Sequence, residues 1–161
     1  MSKVITLDGP AGVGKGTISK KLGKYLNAPV LNSGEIFRSI AYNLKKNKID
    51  YKNLNKILEH AKNFEYKNIS PNKLYTQNID LISSKISVIP ELRKLTIKIQ
   101  RNFVKSHKLA SKIIIAEGRD MGTVIFPRAE VKIFLWASTK IRAKRRLLQF
   151  NNRLKTNIFE E

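Results

Sequence analysis

The chain contains no cysteine, so it can form no disulfide and offers no thiolate as nucleophile or metal ligand. That composition is typical of a protein from a reducing compartment. Long apolar runs are also missing, since none approaches the roughly 20 residues that cross a bilayer. The first apolar run, residues 4–7, is too short for a secretion signal. We therefore expect a cytoplasmic protein without a membrane partner.

Acidic residues are scarce, with 12 Asp and Glu against 32 Lys and Arg and a formal net charge of +20. Such an imbalance suggests polyanionic partners. The lysines, however, are scattered through every segment among many Asn and Ile residues. This scatter favours the compositional bias of an AT-rich coding sequence over a selected nucleic-acid-binding face. Nucleic acid is therefore not our expected partner, although an RNA-binding module stays open as an alternative.

Glycine is sparse as well, yet four of the eight glycines fall within residues 9–17, directly after the apolar run at 4–7. A strand, a glycine-rich turn with lysine and threonine, and then a helix form the layout of a phosphate-binding loop. Lys15 would supply charge to the outer phosphates, and Thr17 a hydroxyl to a phosphate or to hydrated Mg²⁺. A glycine-rich turn without a ligand is the alternative. The predicted ATP-binding residues are Gly9, Pro10, Ala11, Gly12, Val13, Gly14, Lys15, Gly16 and Thr17.

Short strands alternate with amphipathic helices along most of the chain. Apolar runs at residues 4–7, 29–31, 112–116 and 131–136 predict strands. Helices are predicted at 17–27, 35–46, 90–105 and from 139 onward. In the first helix, Ile18, Leu22 and Leu26 recur every four residues and are expected to face the core. The pattern predicts the α/β class, a parallel sheet covered by helices in three layers.

Residues 48–90 interrupt this alternation. A short helix is predicted within 50–63, followed by an antiparallel strand pair, 64–69 with 73–77. The pattern of 79–89 fits either a helix or a strand. We therefore expect a single domain, residues 1–161, whose core comprises 1–47 and 91–161 and whose insert covers about 48–90.

Three predicted turns at the carboxyl ends of strands carry polar residues. Besides the glycine-rich loop, Ser33 follows the second strand, and Arg119 and Asp120 follow the third. Ligands of open parallel sheets bind at this edge, so Lys15, these residues and Arg38 of the next helix should converge. Arginine binds phosphate through paired hydrogen bonds. A nucleoside triphosphate on the loop and a second phosphate on the arginines would make a phosphotransferase.

Several blocks of this sequence resemble bacterial cytidylate kinases, members of the P-loop nucleoside monophosphate kinase family. The resemblance lies in residues 7–17, 31–38, 84–93, 115–127 and 142–147. Residues 118–127 separate that family from adenylate and guanylate kinases. The resemblance implies a P-loop NTPase-type sheet with a small CMP-binding insert. It also implies phosphoryl transfer from ATP with Mg²⁺ to CMP or dCMP, with Lys15 and Arg119 as catalytic residues and no side chain acting as a base.

The resemblance also implies an acceptor site. Arg38 and Arg119 would clamp the CMP phosphate, while Ser84, Arg93 and Asp120 would contact the cytosine. The expected substrate-binding residues are Ser33, Arg38, Ser84, Arg93, Arg119 and Asp120, and no metal-binding side chains are expected. Two other readings stay open: an inactive nucleotide- or RNA-binding relative, and a P-loop kinase for another small acceptor.

The sequence also departs from the family pattern. Asn32 stands where the family usually has Asp, and Phe37 where it often has Tyr. The family continues after the stretch 142–147 with a lid rich in arginine and aspartate and with a last strand. These segments are not among the 161 residues, so we expect a C-terminally truncated member that binds nucleotide weakly and turns over slowly or not at all. We also expect a monomer.

Overall fold

The computed structural model describes residues 3–66 and 69–158, with side chains described as far as residue 148. Four parallel strands form a central sheet in the order β2-β3-β1-β4. The strands are β1 (Lys3–Asp8), β2 (Val30–Asn32), β3 (Ile113–Glu117) and β4 (Val131–Phe134). The predicted α/β class with a parallel sheet is confirmed.

Seven α-helices and one π-helical turn accompany the sheet in the described residues. The helices are α1 (Lys15–Leu26), α2 (Ser33–Lys46), α3 (Leu54–Lys62), α4 (Pro71–Leu74), α5 (Gln77–Ile86), α6 (Pro90–His107) and α7 (Thr139–Ile158). The π-helical turn, Met121–Ile125, follows β3 and was not predicted. Within the described ranges, no helix combines the length and apolar character needed to cross a membrane.

The two faces of the sheet carry different helices. Ile115 of β3 points to α1, where it lies close to Gly23. The preceding residue, Ile114, packs with Val104 of α6 on the opposite face. Successive strand residues face opposite sides of a sheet, so β3 is buried on both faces and reads as a continuous apolar run. This is the three-layer arrangement predicted for the core.

The predicted core face of α1 is only partly correct, since Leu22 and Leu26 are half-buried and Ile18 is not. Ile18 is 41% exposed, while Ser19 and Gly23 are the buried residues of this helix. A side chain at Gly23 would collide with Val30. The helix therefore lies so close to the sheet that small residues take the inner positions, and the larger apolar residues are displaced to its flanks.

The predicted antiparallel pair in the middle of the chain is also wrong. Residues 64–66, 69 and 70 form no strand, and residues 67 and 68 lie outside the described part of the chain. Pro71 opens α4 at the position where a helix tolerates proline. Thr76 then caps α5 by accepting a hydrogen bond from the amide of Ile79. The helix-initiating residues Pro71 and Thr76 therefore determine the structure here, and the alternation of aromatic and polar residues that suggested strands does not.

Helices α3, α4 and α5 cluster against α2, and α3 also contacts α6. The shared core is centred on Ile36, Ile40 and Leu44 of α2, all with no exposed surface. Since α2 begins directly after β2, this packing fixes the segment 48–90 beside the carboxyl edge of the sheet.

Candidate functional site

The glycine-rich loop between β1 and α1 needs glycine at particular positions. Gly9, Gly12 and Gly14 have φ angles of +147°, +78° and +102°, values that favour glycine. A side chain at Gly9 would also run into the carbonyl oxygen of Leu135. Gly14 is the N-cap of α1, so the loop delivers its backbone to the positive end of a helix, where amide N–H groups can meet an anion.

Lys15 bends back over this loop. Its Nζ donates hydrogen bonds to the carbonyl oxygens of Gly9 at 2.7 Å and Pro10 at 2.9 Å. Burial lowers the pKa of Lys15, and the positive charge of Arg119 adds to this, while Glu117 and Asp8 oppose it. Lys15 therefore places a partly buried ammonium directly over the loop backbone.

Two carboxylates lie below the loop, and sequence reasoning gave neither a role. Asp8 accepts hydrogen bonds from the amides of Met121 at 2.8 Å and Gly122 at 2.7 Å, which ties the end of β1 to the π-helical turn. Glu117 accepts one from Ser19 at 2.5 Å. Burial raises the pKa of Glu117, whereas the hydrogen bond from Ser19 opposes the rise. Asp8 and Glu117 end two adjacent strands, and this position was the sequence signal that could have identified them as site residues.

The start of α7 packs on the other side of the loop. Arg142 donates to the carbonyl oxygen of Ala11 at 3.4 Å, and Arg145 donates to that of Val13 at 2.9 Å. Ser138 caps this helix by accepting a hydrogen bond from the amide of Ile141. Two arginines thus join Lys15 around the loop.

The three polar turns converge as the strand order requires. Leu7 of β1 and Asn32 of β2 both lie in register with Glu117 of β3. Beyond those positions, a side chain on Gly118 would lie 3.3 Å from the Cβ of Ser33. The turn that carries Ser33 therefore touches the turn that carries Arg119 and Asp120.

Arg38 lies on α2, just past this junction. Its Nε donates to an Asp80 carboxylate oxygen at 3.0 Å, and its Nη1 donates to the carbonyl oxygen of Gly34 at 3.4 Å. The guanidinium also stacks over the ring of Tyr75, 4.9 Å from the ring centroid. Arg38 is thus held in a fixed orientation at the carboxyl edge of the sheet.

Arg93 and Asp120 form an ion pair in which a guanidinium nitrogen and a carboxylate oxygen lie 2.5 Å apart. Arg93 also donates to the carbonyl oxygen of Ser87, and the Ser87 hydroxyl donates to that of Ser84. The three residues predicted to contact the base therefore lie along one chain of contacts. Ser84 itself is exposed, and its hydroxyl makes no hydrogen bond within the described residues.

Arg119 is exposed and makes no hydrogen bond or ion pair with a described residue. Arg119 lies in the turn that follows β3, at the same sheet edge as the loop. Burial is the main cause that lowers the pKa of Lys15, and the positive charge of Arg119 contributes to it.

Two further acids hold the acceptor side together. Glu35 accepts hydrogen bonds from the hydroxyl groups of Tyr75 at 2.7 Å and Tyr66 at 3.4 Å. Burial and the Glu35 carboxylate raise the pKa of both tyrosines. Asp80 pairs with Arg38 and also with Arg146 of α7 at 3.0 Å. Sequence reasoning missed Asp80 because residues 79–89 could not be assigned to a helix.

The sequence profile of the family described as Cytidylate kinase matches residues 5–161. The cytidylate kinase of Mesomycoplasma hyopneumoniae strain 7448 is 40% identical over 156 residues, which cover 90% of this chain and 66% of that protein. Cytidylate kinase 2 of Haemophilus influenzae is 37% identical over 164 residues, 93% of this chain and 72% of that protein. A crystal structure of TT1252 from Thermus thermophilus aligns with a TM-score of 0.47 at 16% identity, covering 89% of this chain and 70% of that chain.

A fused relative matches as well. The bifunctional pantoate ligase/cytidylate kinase of Prochlorococcus marinus strain MIT 9215 is 40% identical over 158 residues, which cover 89% of this chain and 30% of that protein. The chain spans 66% of the length of the M. hyopneumoniae relative. The matched residues include the loop, both polar turns and the first part of α7. By sequence, the chain belongs to the cytidylate kinase family.

Proposed function

We propose that this chain transfers the γ-phosphoryl group of ATP to CMP or dCMP, giving ADP and CDP or dCDP. The observation that carries the proposal is the convergence of two cationic sites at one sheet edge. Lys15 lies on the loop and Arg38 lies on α2. The exposed Arg119, which pairs with no described residue, follows β3 at the same edge. The relatives from M. hyopneumoniae and H. influenzae are both named cytidylate kinases, which supports the proposal.

The donor side is the glycine-rich loop. The amide groups of residues 9–17 and the start of α1 bind the phosphates of ATP. Lys15 then exchanges its contacts with Gly9 and Pro10 for the outer phosphates. Arg142 and Arg145, now on loop carbonyls, add charge at the same place.

The Thr17 hydroxyl fits a role toward Mg²⁺. It is exposed at the start of α1 and makes no hydrogen bond within the described residues. Bound with ATP, Mg²⁺ would offset phosphate charge and orient the γ-phosphoryl group. Among the described residues, no cluster of three or more His, Cys, Asp or Glu side chains could hold a metal ion by itself.

The acceptor side is formed by the two polar turns and the segment 48–90, which we propose as the CMP-binding insert. Arg38 and Arg119 hold the CMP phosphate, with Ser33 beside them. Asp120, Arg93 and Ser84 read the cytosine. A base that leaves these polar groups unpaired binds much less well, which discriminates against UMP.

The reaction needs no side chain to act as a base. An oxygen of the CMP phosphate attacks the γ-phosphorus, a new P–O bond forms, and the bond to the β–γ bridging oxygen breaks, so that ADP leaves with the electron pair. Such transfer depends on alignment and on charge neutralisation. The surrounding cations supply both.

A steady-state assay of ADP formation with a panel of acceptors tests the proposal. We expect turnover with CMP and dCMP and far less with UMP, AMP or GMP. Replacing Arg119 with methionine should abolish most CMP-dependent turnover, while replacing the exposed Lys94 with methionine on α6 should not. Equal rates with AMP, or a preference for a different acid, would instead favour a P-loop kinase with another acceptor.

The exposed face of α6 favours a second candidate, polyanion binding. Its exposed cations recur every three or four residues: Lys94, Lys98, Arg101 and Lys105, followed by Lys108 just past the end of the helix. A cavity of about 850 Å³ opens beside Arg101 and Val104, away from the glycine-rich loop. RNA binding that falls steeply with salt and ignores Arg38 and Arg119 would support this function. CMP binding that requires those arginines would not.

We also propose that the protein works as a monomer. We place it in the cytoplasm, because a chain without cysteine fits a reducing compartment. Light scattering at micromolar concentration tests the first part. A mass near 18.4 kDa is expected, and a mass of twice that value would contradict the proposal.

A further inference from the structure

Both carboxylate oxygens of Asp80 are occupied by arginines. Oδ1 contacts Nε and Nη2 of Arg38, each at 3.0 Å, and Oδ2 contacts Nη2 of Arg146 at 3.0 Å. The side chain of Asp80 is 19% exposed and that of Arg38 is 21% exposed. One carboxylate therefore connects α5, α2 and α7 at the acceptor side of the site.

The contacts of Arg38 occupy the Nε/Nη2 edge of its guanidinium. Nε and Nη2 form the edge of a guanidinium that pairs with two phosphate oxygens, and Asp80 takes both nitrogens. Nη1 is used by the carbonyl oxygen of Gly34, and the ring of Tyr75 covers one face. A phosphate that binds Arg38 through its paired edge has to displace the Asp80 carboxylate.

We propose that Asp80 sets the affinity of the acceptor site by holding Arg38 in place of the acceptor's phosphate, and that CMP binds by exchanging its phosphate for this carboxylate. The proposal rests on the proposed function, because it takes Arg38 as a phosphate ligand. Arg146 makes the exchange feasible. When Asp80 leaves Arg38, its other oxygen stays paired with Arg146, so the carboxylate is not left without a partner.

The competing view gives Asp80 a purely supporting role, in which it holds Arg38 ready for phosphate. The two views predict opposite signs. If Asp80 competes with phosphate, its neutralisation strengthens CMP binding, since less of the Arg38 population is blocked. If Asp80 only supports Arg38, its neutralisation weakens CMP binding.

Calorimetric titration of CMP into the full chain and its variants tests the proposal. We expect Asp80→Asn to lower the Kd for CMP by about three- to tenfold, the range of a partly exposed, well-oriented ion pair. Asp50→Asn is the matched control, because Asp50 is an exposed acid that is not among the acceptor-site residues named above. Its side chain contacts the backbone amide of Lys52 and no other group in the described part of the chain. This variant should leave the Kd unchanged. In the coupled assay, Asp80→Asn should lower KM for CMP and leave kcat within about twofold.

A second background separates competition from simple repulsion. Removing a negative charge near a phosphate would strengthen binding even without Arg38, whereas competition for Arg38 cannot. We therefore expect Asp80→Asn to give no gain when it is combined with Arg38→Met. A gain of the same size in both backgrounds would overturn the proposal, as would an unchanged or raised Kd for Asp80→Asn alone.

Failure of the proposed function would look different. Neither the unaltered chain nor Asp80→Asn would then bind CMP, and Arg38→Met would change nothing, which would overturn both proposals. CMP binding that requires Arg38 but is unaffected by Asp80→Asn would overturn only the role of Asp80. Thermal unfolding of each variant shows whether the substitution disturbs folding, and Asp80→Ala serves as a second substitution at the same position. Both Asp80 variants should move the Kd in the same direction.

Discussion

The guanidinium of Arg145 donates a hydrogen bond to the carbonyl oxygen of Val13, 2.9 Å away, and so links α7 to the glycine-rich loop. Arg142 and Lys15 bind other carbonyl oxygens of the same loop. None of these three cations pairs with a carboxylate within the described residues. A triphosphate on the loop would therefore meet three charges that have only neutral partners to give up.

Replacing Arg145 with methionine should weaken ATP more than CMP. The variant loses one cation beside the loop and the hydrogen bond to Val13. We expect KM for ATP to rise by about three- to tenfold with KM for CMP within twofold in the coupled assay. The control is Lys144→Met, an exposed neighbour on the same helix. Equal effects of the two variants would show that only net charge matters.

Replacing Lys15 with methionine should reduce phosphoryl transfer far more than binding of CMP. Lys15 carries the charge closest to the loop backbone, and such preorganised charge acts mainly in the transition state. We expect kcat/KM for ATP to fall by about 100-fold or more. Lys24→Met, in the last turn of the same helix, should keep full activity. A loss of less than about threefold for Lys15→Met would remove the lysine from the mechanism.

Two glycines of the loop should respond in opposite ways to alanine. Gly9 combines a φ of +147° with a clash against the carbonyl of Leu135. We expect Gly9→Ala to lower the free energy of unfolding by about 1–3 kcal/mol. At Gly16, within α1, the nearest atom to an added Cβ is a carboxylate oxygen of Glu117 at 3.6 Å, an ordinary contact. Gly16→Ala should raise the free energy by up to about 1 kcal/mol. Urea unfolding measures both values, and equal losses would contradict the loop geometry.

The stretches with strong local signals were predicted correctly, and the residues that connect distant elements were not. The apolar run of β3 and the glycines of the loop each reflect a rule that acts over a few residues. Asp80 pairs with Arg38, which is 42 residues away in the sequence, and with Arg146, which is 66 residues away. No local pattern encodes such a pair.

The aromatic residues of the middle segment show the same limit. Tyr66 and Tyr75 lie in the segments predicted as paired strands. Their hydroxyl groups instead converge on Glu35 of α2. Alternation of aromatic and polar residues records only which side chains are partly buried, so it does not reveal whether the chain between them is a strand.

Two glutamates should affect stability with opposite pH dependence. Burial raises the pKa of Glu117, so its stabilising contribution is complete below about pH 4.5 and is lost as the pH rises through the elevated pKa. The backbone hydrogen bond from Val4 lowers the pKa of Glu130, so its contribution is present above about pH 4.5 and is lost as the pH falls through the depressed pKa.

Urea midpoints of Glu117→Gln and Glu130→Gln between about pH 3 and 8 measure these contributions. Relative to the unaltered chain, we expect Glu117→Gln to be more stable above about pH 4.5. We expect Glu130→Gln to be less stable above that value and to match the unaltered chain as the pH falls below it. Parallel pH profiles for all three proteins would show that neither carboxyl group changes its pKa on folding.

Phosphorus NMR of a mixture of this protein, ATP, Mg²⁺ and CMP tests the central claim most directly. If the loop and the Arg38/Arg119 turns form one donor and one acceptor site, the resonances of ADP and CDP should grow together in equal amounts, with little free phosphate. Growth of ADP and inorganic phosphate without CDP, or no consumption of ATP, would contradict it.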